Sequence, residues 1–285
     1  MRFDAVIFDI DNVLIDTRAS YTDCIRKTVE TYLETILKFQ PSRHVLLTRR
    51  DVEMFKSLGG FNDDWDTCYG LLLYFLSLRI KKRSIRELAN EKDLRGLMEI
   101  KKKKKLLGVR GAEKIFRKRE SVTLQKIAEI FQRFYLSDFV WREKLLIPKS
   151  FLKRLKRLGL KIGIVTGRSR NEAEFALRRF QIDPWIDQMV TTDETPKHLK
   201  KPHPDGLFKV AAKLGQKLRY LYVGDLPDDM VAAEWAKKKM KIASCGYLKV
   251  SSWKKEMKRE LKQAKADFIC DQSSGILQAI HSRRL

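Results

Sequence analysis

Two aspartates, Asp9 and Asp11, lie in the stretch FDIDNVLID near the start of the chain. They follow the apolar run of residues 5–8, at the point where a buried strand is expected to end. Carboxylates close to one another raise each other's proton affinity, so the pair carries a free-energy cost unless something uses or offsets it. The pair is therefore the first indication of a site.

Other residues with reactive or polar groups follow later apolar runs in the chain. In a parallel sheet, ligands gather beyond the carboxyl ends of the strands, so residues at those ends converge on one edge. Each of these groups is common by itself as a turn, a helix cap or a surface charge, and their joint order at element boundaries is the informative feature. The residues expected to join Asp9 and Asp11 at this edge are Thr166, Gly167 and Arg168, then Lys201 before a helix, then Gly224 and Asp225.

The elements that would position these residues alternate between amphipathic helices and short apolar runs from residue 148 onward. Strands are predicted at 4–8, 161–165, 189–190, 220–223, 242–245 and 268–270, and helices near 171–180, 204–214, 229–240 and 253–265. Alternating helices and buried strands indicate a mainly parallel sheet covered on both faces. The fold class predicted is therefore α/β, with a Rossmann-like sheet flanked by helices.

Residues 17–145 have a different pattern, in which apolar side chains recur at helical spacing and no strand alternation is evident. The apolar run at 69–78 is about half of the roughly 20 residues that a membrane-spanning helix needs, so it is predicted to be a buried helix. We expect an α/β core domain made of 1–16 and 146–285, interrupted by an all-helical domain at 17–145.

The composition is strongly basic, with 60 Lys and Arg against 36 Asp and Glu and a net charge of +24. Segment 79–120 holds much of this excess and includes Lys101 to Lys105. It is interpreted first as a solvated insertion or helix face and second as an arm that binds nucleic acid or another polyanion. The segment has no recognised nucleic-acid-binding motif and no interleaved aromatic residues, so nucleic acid is not the favoured partner.

The cysteines and histidines limit the other classes of site. The four cysteines, Cys24, Cys68, Cys245 and Cys270, are scattered without a CxxC pair, and the four histidines are equally dispersed. This spacing disfavours a zinc site and a disulfide-stapled secreted framework. A reducing, cytoplasmic setting without a membrane partner is the expectation.

The order of the edge residues resembles the haloacid dehalogenase-like superfamily of phosphohydrolases along nearly the whole chain. The residues from Asp9 to Leu14 resemble its first motif, Thr166 its second and Lys201 its third. The stretch from Gly224 to Asp229 resembles its fourth. A helical block between the first and second motifs is typical of the phosphoglycolate-phosphatase-like branch (subfamily IA), which carries a C1-type helical cap there.

The resemblance implies a role for each motif residue. Asp9 would be the nucleophile and Asp11 the general acid and base. Thr166, the amide of Gly167 and Lys201 would hold the phosphoryl oxygens. The resemblance also implies Mg²⁺, bound by the side chains of Asp9 and Asp225 and by the main-chain carbonyl of Asp11, with Asp229 as a supporting acid. Retention of Asp11 disfavours the dehalogenase and phosphonatase branches, which lack a second aspartate at that position.

This chain departs from the family pattern at Asn12 and Val13, where Gly and Thr are commoner. Asn tolerates left-handed backbone angles, so a turn at Asn12 is compatible with the sequence. The departure does not affect the predicted catalytic residues.

The predicted helical domain contains one candidate substrate loop, around Gly60, Phe61, Asn62 and Trp65. The alternative is a glycine turn followed by an Asn or Asp helix cap with buried aromatic side chains. The sequence does not separate the two.

The function expected from these features is Mg²⁺-dependent hydrolysis of a small phosphomonoester, phosphoglycolate or a similar metabolite, through an aspartyl-phosphate. A sugar-phosphate mutase would use the same two aspartates. A polynucleotide-end phosphatase or nucleic-acid-binding protein would use the basic segment. The substrate and the oligomeric state are not specified by any motif.

Overall fold

The computed structural model describes residues 3–61, 63–103 and 108–282. The chain divides into two compact units, one of Met1–Asp16 with Lys144–Leu285 and one of Thr17–Glu143. The division made from the sequence places the second boundary two residues later, at 145/146. Among the described helices, none is both long and apolar enough to cross a membrane.

The first unit contains all the named strands, which form a six-stranded sheet and a separate two-stranded ribbon. The strands are β1 Ala5–Phe8, β2 Ile15–Asp16, β3 Lys144–Leu145, β4 Lys161–Val165, β5 Gln188–Val190, β6 Tyr220–Gly224, β7 Ile242–Tyr247 and β8 Phe268–Cys270. The large sheet has the order β5-β4-β1-β6-β7-β8 and is parallel throughout. The ribbon pairs β2 with β3 antiparallel. The predicted α/β class with a mainly parallel sheet is confirmed.

Helices occur in both units. They are α1 Asp23–Thr31, α2 Arg49–Lys56, α3 Asp64–Ser77, α4 Ile85–Glu91, α5 Leu94–Lys103, α6 Gly108–Phe116, α7 Leu124–Ser137, α8 Lys149–Arg157, α9 Arg170–Arg179, α10 Asp205–Leu214, α11 Pro227–Ala236, α12 Lys254–Gln263 and α13 Ser273–His281. Short π-helical segments, Arg18–Thr22 and Tyr32–Ile36, flank α1, and 3₁₀ turns lie at Phe139–Arg142, Asp183–Trp185, Thr192–Glu194 and Lys197–Leu199.

Strand β1 is central in the sheet because its side chains are apolar on both faces. Val6 and Phe8 pack into the larger hydrophobic cluster on one side. Ala5 and Ile7 pack into a second cluster on the other. Successive side chains of a strand point to opposite faces, so a continuous apolar run is what a strand covered on both sides requires. This burial fixes the position of the residues that follow Phe8.

The second unit consists of helices α1 to α7 and their connecting segments. Thr48 caps α2 through a capping box with Asp51, and Asp63 caps α3 by accepting from the amides of Trp65 and Asp66. Such caps satisfy amide groups that have no partner within the helix. The apolar run at 69–78 falls in α3 and is mostly buried, as the sequence predicts.

Candidate active site

The register of the sheet brings three strand ends to one edge. Phe8 of β1 is paired with Ile164 of β4 and with Val223 of β6. The amide of Asp9 then donates to the carbonyl of Val223 at 2.9 Å. The segments that leave β1, β4 and β6 therefore start side by side, and these are the segments that contain the predicted motif residues.

Asp9 is a buried carboxylate at the centre of this edge, with a relative exposure of 7%. Its Oδ1 accepts from the amide of Ile10 at 2.8 Å, and its Oδ2 lies 3.1 Å from the Nζ of Lys201. Burial raises the pKa of Asp9 to about 7, because the Lys201 ammonium offsets only part of the loss of water and Asp229 and Asp11 add negative charge nearby. The pKa of Asp9 therefore lies well above that of a carboxylate exposed on the surface.

Lys201 reaches the edge from the segment before α10 and lies between two carboxylates. Its Nζ is 3.1 Å from Oδ2 of Asp9 and 2.9 Å from Oδ1 of Asp229. Burial by itself would lower the pKa of Lys201, but the charges of Asp229 and Asp9 outweigh it and hold that pKa well above the ordinary value. The side chain is therefore a permanent ammonium at this edge.

Asp229 belongs to the first turn of α11 and is 1% exposed. Its Oδ1 accepts from the hydroxyl of Tyr222 at 2.7 Å as well as facing Lys201, and its Oδ2 accepts from the amide of Leu226 at 3.0 Å. A Cβ added at Gly224 would lie 2.4 Å from the Cβ of Asp229, so this close packing requires glycine at position 224. Asp229 is thus fixed by three donors and by contact with the end of β6.

Asp9, Asp225 and Asp229 together offer carboxylate oxygens that lie within 4.8 Å of one another. A cluster made only of oxygen ligands is appropriate to a hard divalent cation such as Mg²⁺. Asp229 already accepts from the three donors just described, whereas Asp225 is half-buried and accepts from Nδ2 of Asn12 at 3.3 Å. The donor set therefore fits the predicted metal, with Asp9 and Asp225 better placed than Asp229 to supply side-chain ligands.

The turn after Asp9 contains the left-handed backbone conformation that the sequence allows at Asn12. Asn12 has φ of +55°, in the left-handed region, and its amide donates to the carbonyl of Ile15 at 2.7 Å. Asn is among the residues that adopt this region most readily. The turn directs the side chain of Asn12 to Asp225, a contact that the sequence did not indicate.

Asp11 is near Asp9 in sequence, but its carboxylate has a different partner. Its Oδ1 accepts from Nε and Nη2 of Arg168 at 2.9 Å and 2.7 Å. The side chain of Asp11 is 32% exposed, whereas that of Arg168 is 1% exposed. The two aspartates of the first motif thus occupy distinct environments, one buried against Lys201 and one partly open beside a guanidinium.

Thr166 and Gly167 follow the last residue of β4. Thr166 is buried, its amide donates to the carbonyl of Val190 at 3.1 Å, and its Oγ1 accepts from the amide of Arg168 at 3.2 Å. Gly167 is exposed. The structure therefore brings to one edge the predicted residues Asp9, Asp11, Thr166, Gly167, Lys201, Asp225 and Asp229.

Two residues with direct contacts to this cluster were given no role from the sequence. The sequence places Arg168 only at a strand end, and it places Tyr222 in the apolar run of a strand. The signal for Arg168 was its position two residues after Thr166, and its partner follows only from the register of β1 with β4. No sequence feature indicated a functional role for Tyr222, because a tyrosine in an apolar run is usually a residue of the hydrophobic core.

The candidate substrate loop lies in the second unit. Gly59 and Gly60 have positive φ values of 87° and 76°, and Asp63 caps the following helix. Phe61 is 1% exposed and packs on Phe55 with ring centroids 4.8 Å apart, whereas Trp65 is 37% exposed. Asn62 lies outside the described residues. These features match the glycine turn, helix cap and buried aromatic of the alternative interpretation, and a contact between Trp65 and substrate stays a prediction.

The described part of the basic segment 79–120 contains α4, α5 and α6. Lys104 and Lys105 and the side chains of Lys101, Lys102 and Lys103 lie outside what the structure describes. The exposed basic residues of the segment include Lys81, Lys82, Arg83, Arg86, Arg95, Arg110, Lys114, Arg117, Lys118 and Arg119. Binding of a polyanion by this segment remains a prediction.

Comparison with curated proteins shows partial matches to one group of enzymes. The chain is 34% identical over 127 residues to the pyrophosphatase PpaX of Bacillus cereus (strain AH820), covering 44% of this chain and 54% of that protein. The PpaX of Bacillus anthracis (strain CDC 684 / NRRL 3495) is 33% identical over the same length, with the same coverage. The chain thus spans about half the length of the curated relatives it matches.

Comparison with solved structures shows likeness over nearly the whole chain. A predicted phosphoglycolate phosphatase from Haemophilus somnus has a TM-score of 0.63 at 17% identity and covers 98% of this chain and 99% of its own. Phosphatase Tt82 from Thermococcus thioreducens has a TM-score of 0.56 at 23% identity and covers 84% and 90%. At these identities the likeness shows a shared fold.

A family model described as haloacid dehalogenase-like hydrolase matches residues 3–237, which is most of the chain and includes every predicted motif. This match agrees with the resemblance derived from the order of the edge residues. The chain belongs to the haloacid dehalogenase-like hydrolase family.

Proposed function

We propose that this protein is a Mg²⁺-dependent phosphatase that hydrolyses a small phosphomonoester through an aspartyl-phosphate. The observation that carries the proposal is the position of Lys201, whose ammonium lies between Asp9 and Asp229 at 3.1 Å and 2.9 Å. Those two carboxylates belong to the oxygen cluster that they form with Asp225. A fixed cation next to a carboxylate nucleophile and an oxygen-only ligand set is the arrangement that phosphoryl transfer requires.

The reaction takes place in two displacements. In the first, a carboxylate oxygen of Asp9 forms a bond to phosphorus, the bond from phosphorus to the leaving oxygen breaks, and that oxygen keeps the electron pair and takes the proton of Asp11. In the second, water bonds to phosphorus and gives a proton to Asp11, and the electron pair of the broken acyl-phosphate bond returns to Asp9. Phosphate and an alcohol are the products, and both aspartates return to their initial state.

Three groups bind and orient the phosphoryl oxygens in this proposal. They are the hydroxyl of Thr166, the amide of Gly167 and the ammonium of Lys201. Because the raised pKa keeps Lys201 charged, it stabilises the negative charge on the phosphoryl group throughout transfer. Asp229 keeps the Nζ of Lys201 in place through the 2.9 Å contact.

Mg²⁺ would be held by the side chains of Asp9 and Asp225 and by the main-chain carbonyl of Asp11, with Asp229 in support. When bound, the ion neutralises phosphoryl charge and offsets the repulsion among the carboxylates. Asp9, Asp225 and Asp229 fit this use because their carboxylate oxygens lie within 4.8 Å of one another.

Phosphoglycolate or a similar small metabolite is the proposed substrate class. The helical unit Thr17–Glu143 lies between Asp11 and Thr166 in the chain, which is where the phosphoglycolate-phosphatase-like branch carries its cap. The name of the Haemophilus somnus structural neighbour supports the same class. A closing cap would exclude water and select small substrates.

Inorganic pyrophosphate is a second candidate substrate. It is supported by the identity of 34% over 127 residues to a protein named pyrophosphatase PpaX. The same residues would act on it, since a phosphate would leave in place of an alcohol. A panel containing phosphoglycolate, pyrophosphate and sugar phosphates, each with Mg²⁺, separates the candidates by the rate of phosphate release. A mutase would convert a sugar phosphate without releasing phosphate.

The experiment that tests the reaction is phosphate release from 4-nitrophenyl phosphate by the wild type and by Asp9→Asn. We expect Asp9→Asn to lower kcat by at least about 10⁴-fold, because an amide is not a nucleophile toward phosphorus. Asp4→Asn, at the other end of the same strand, is the matched control and should keep its activity. Turnover by Asp9→Asn close to that of the wild type would refute the proposal.

A further inference from the structure

Arg168 is a buried guanidinium at the carboxyl edge of the sheet to which the reaction above gives no role. Its side chain is 1% exposed. Its main chain is fixed on both sides, because its amide donates to Oγ1 of Thr166 at 3.2 Å and its carbonyl accepts from the amide of Thr192 at 3.1 Å. The backbone from which the guanidinium extends is therefore fixed relative to β4 and to the turn after β5.

The contact between Arg168 and Asp11 has an uncommon form. Arginine usually binds a carboxylate with two donors on two oxygens. Here Nε and Nη2 both donate to Oδ1 of Asp11, at 2.9 Å and 2.7 Å. Among the residues that the structure describes, none donates to Oδ2 of Asp11, and this side chain is 32% exposed. Arg168 thus fixes one carboxylate oxygen of Asp11 and leaves the other without a described donor.

We propose that Arg168 is the positioning residue of the general acid and base, fixing Oδ1 of Asp11 so that Oδ2 is the oxygen that transfers the proton. This inference rests on the proposed phosphatase reaction. In the first displacement the proton on Oδ2 passes to the leaving oxygen as that oxygen takes the electron pair of its bond to phosphorus. In the second displacement Oδ2 takes a proton from the attacking water. Arg168 itself exchanges no proton, because a guanidinium stays charged.

The proposal has a consequence that a phosphate-binding arginine would not have. A weakly basic leaving group such as 4-nitrophenolate departs without much help from an acid, whereas phenolate needs a proton delivered to it. A misplaced Asp11 would therefore slow the hydrolysis of phenyl phosphate much more than that of 4-nitrophenyl phosphate. An arginine that bound the phosphoryl group would affect both substrates alike, since that group is the same in both.

The experiment compares kcat/KM for these two substrates, with Mg²⁺, in the wild type and in Arg168→Gln. We expect Arg168→Gln to lose about 100-fold or more on phenyl phosphate and less than about 10-fold on 4-nitrophenyl phosphate, which is the range for loss of general-acid catalysis. Arg168→Lys keeps the charge but cannot place two donors on one oxygen, so it should lose less and show the same selectivity. It also decides the question if Arg168→Gln does not fold.

Two further variants show whether Arg168 acts through Asp11. Asp11→Asn should show the same leaving-group selectivity, and adding Arg168→Gln to it should cause no further selective loss, because both changes remove one function. Arg170→Gln is the matched control. Arg170 lies two residues away, pairs with Glu194 and is 32% exposed, so its replacement should affect both substrates equally and little.

Equal losses on the two substrates in the Arg168 variants, or no loss on either, would overturn the proposal. An additive selective loss in the double variant would overturn it as well. A wild type that releases phosphate from neither substrate would instead contradict the phosphatase function, so the two failures are distinguishable.

Discussion

An aspartate paired with a cation lies just beyond each end of strand β1, and the pKa values of the two aspartates are shifted in opposite directions. At the amino end, Asp4 is 2.8 Å from Arg219, and the side chains are 35% and 46% exposed. The hydrogen bond from the Arg219 side chain lowers the pKa of Asp4 to about 2. At the carboxyl end, Asp9 is 3.1 Å from Lys201, both side chains are 10% exposed, and burial raises the pKa of Asp9 to about 7.

The difference shows that burial, more than the presence of a cationic partner, determines how the pKa of each aspartate is shifted. An exposed pair gains little because water already solvates both charges. A buried pair loses its water, so each member depends on the other and on every further donor. The carboxyl end is therefore the place where a single substitution should have large effects, and the amino end should tolerate the same kind of change.

The largest effect is expected from Lys201→Met. This change leaves Asp9 and Asp229 facing one another without the ammonium between them, and it removes a group proposed to hold the phosphoryl oxygens. We expect a loss of about 3 kcal/mol in the free energy of unfolding without metal, and a fall in kcat of about 10²-fold to 10³-fold. Urea unfolding in the presence of a chelator and phosphate release with Mg²⁺ measure the two effects.

Lys200→Met is the control for that measurement, since Lys200 is the adjacent lysine and is half-buried. It should change the free energy of unfolding by less than about 1 kcal/mol. Equal losses in the two variants would mean that the carboxyl end is not special, and the contrast between the two ends of β1 would fail.

A smaller but still large effect is expected from Gly224→Ala. The added Cβ would lie 2.4 Å from the Cβ of Asp229, a buried atom close to its backbone that cannot rotate away. We expect a loss of about 2 kcal/mol in unfolding free energy, together with a fall in activity as Asp229 shifts away from Lys201. Thermal unfolding and phosphate release on the same preparation would show both.

Gly159→Ala is the control that separates the cost of a steric clash from the cost of a left-handed backbone conformation. Gly159 has a φ of +76° but no atom within 4 Å of an added Cβ, and it follows α8 outside the site. The left-handed backbone should cost about 1 kcal/mol, with activity unchanged. If Gly224→Ala also left activity unchanged, the tight packing at the carboxyl end would have no bearing on the site.

A moderate effect is expected from Tyr222→Phe, which removes the hydroxyl that donates to Asp229 at 2.7 Å. The loss should be about 1 to 2 kcal/mol, because a buried carboxylate oxygen loses one of its donors. Tyr220→Phe is the matched control on the same strand, since the Tyr220 hydroxyl donates to the carbonyl of Gly215 at 2.7 Å. Both should lower the melting temperature, and only Tyr222→Phe should also lower kcat.

Only some parts of the fold and of the site could be predicted from the sequence. Strands β1, β4 and β6 were predicted because their apolar runs are long enough to be read directly, and Asp9 and Asp225 followed from their positions after those runs. The ribbon of β2 and β3 was not predicted, because strands of two residues are too short to show an alternation of apolar and polar side chains. Helix α13 was also not predicted.

The contacts within the site were less predictable than its membership. The partner of Arg168 depends on the register of β4 against β1, and the hydroxyl of Tyr222 meets Asp229 only because α11 starts directly after β6. Neither relation is contained in a local pattern. The sequence order can therefore name the candidate catalytic aspartates, while the three-dimensional arrangement is needed to say what distinguishes Asp9 from Asp11.

The smallest effect is expected from Asp4→Asn at the amino end of β1. Because the pKa of Asp4 is lowered to about 2 in the folded protein, the carboxylate contributes stability that is present above about pH 4 and lost as the pH falls toward 2. The exposed position limits that contribution to less than about 1 kcal/mol at neutral pH. An asparagine oxygen can still accept from the amide of Arg219, which Asp4 does at 2.9 Å, so part of the contact survives.

Urea unfolding of the wild type and of Asp4→Asn at pH 7 and at pH 3 measures this contribution. We expect the difference between the two proteins to shrink at pH 3 and to shrink at pH 7 in high salt, since exposed charges are screened. The Lys201→Met deficit at the opposite end should resist salt, because the charges there are buried. A deficit for Asp4→Asn as large as that of Lys201→Met would show that pairing and not burial sets the energetics of this sheet.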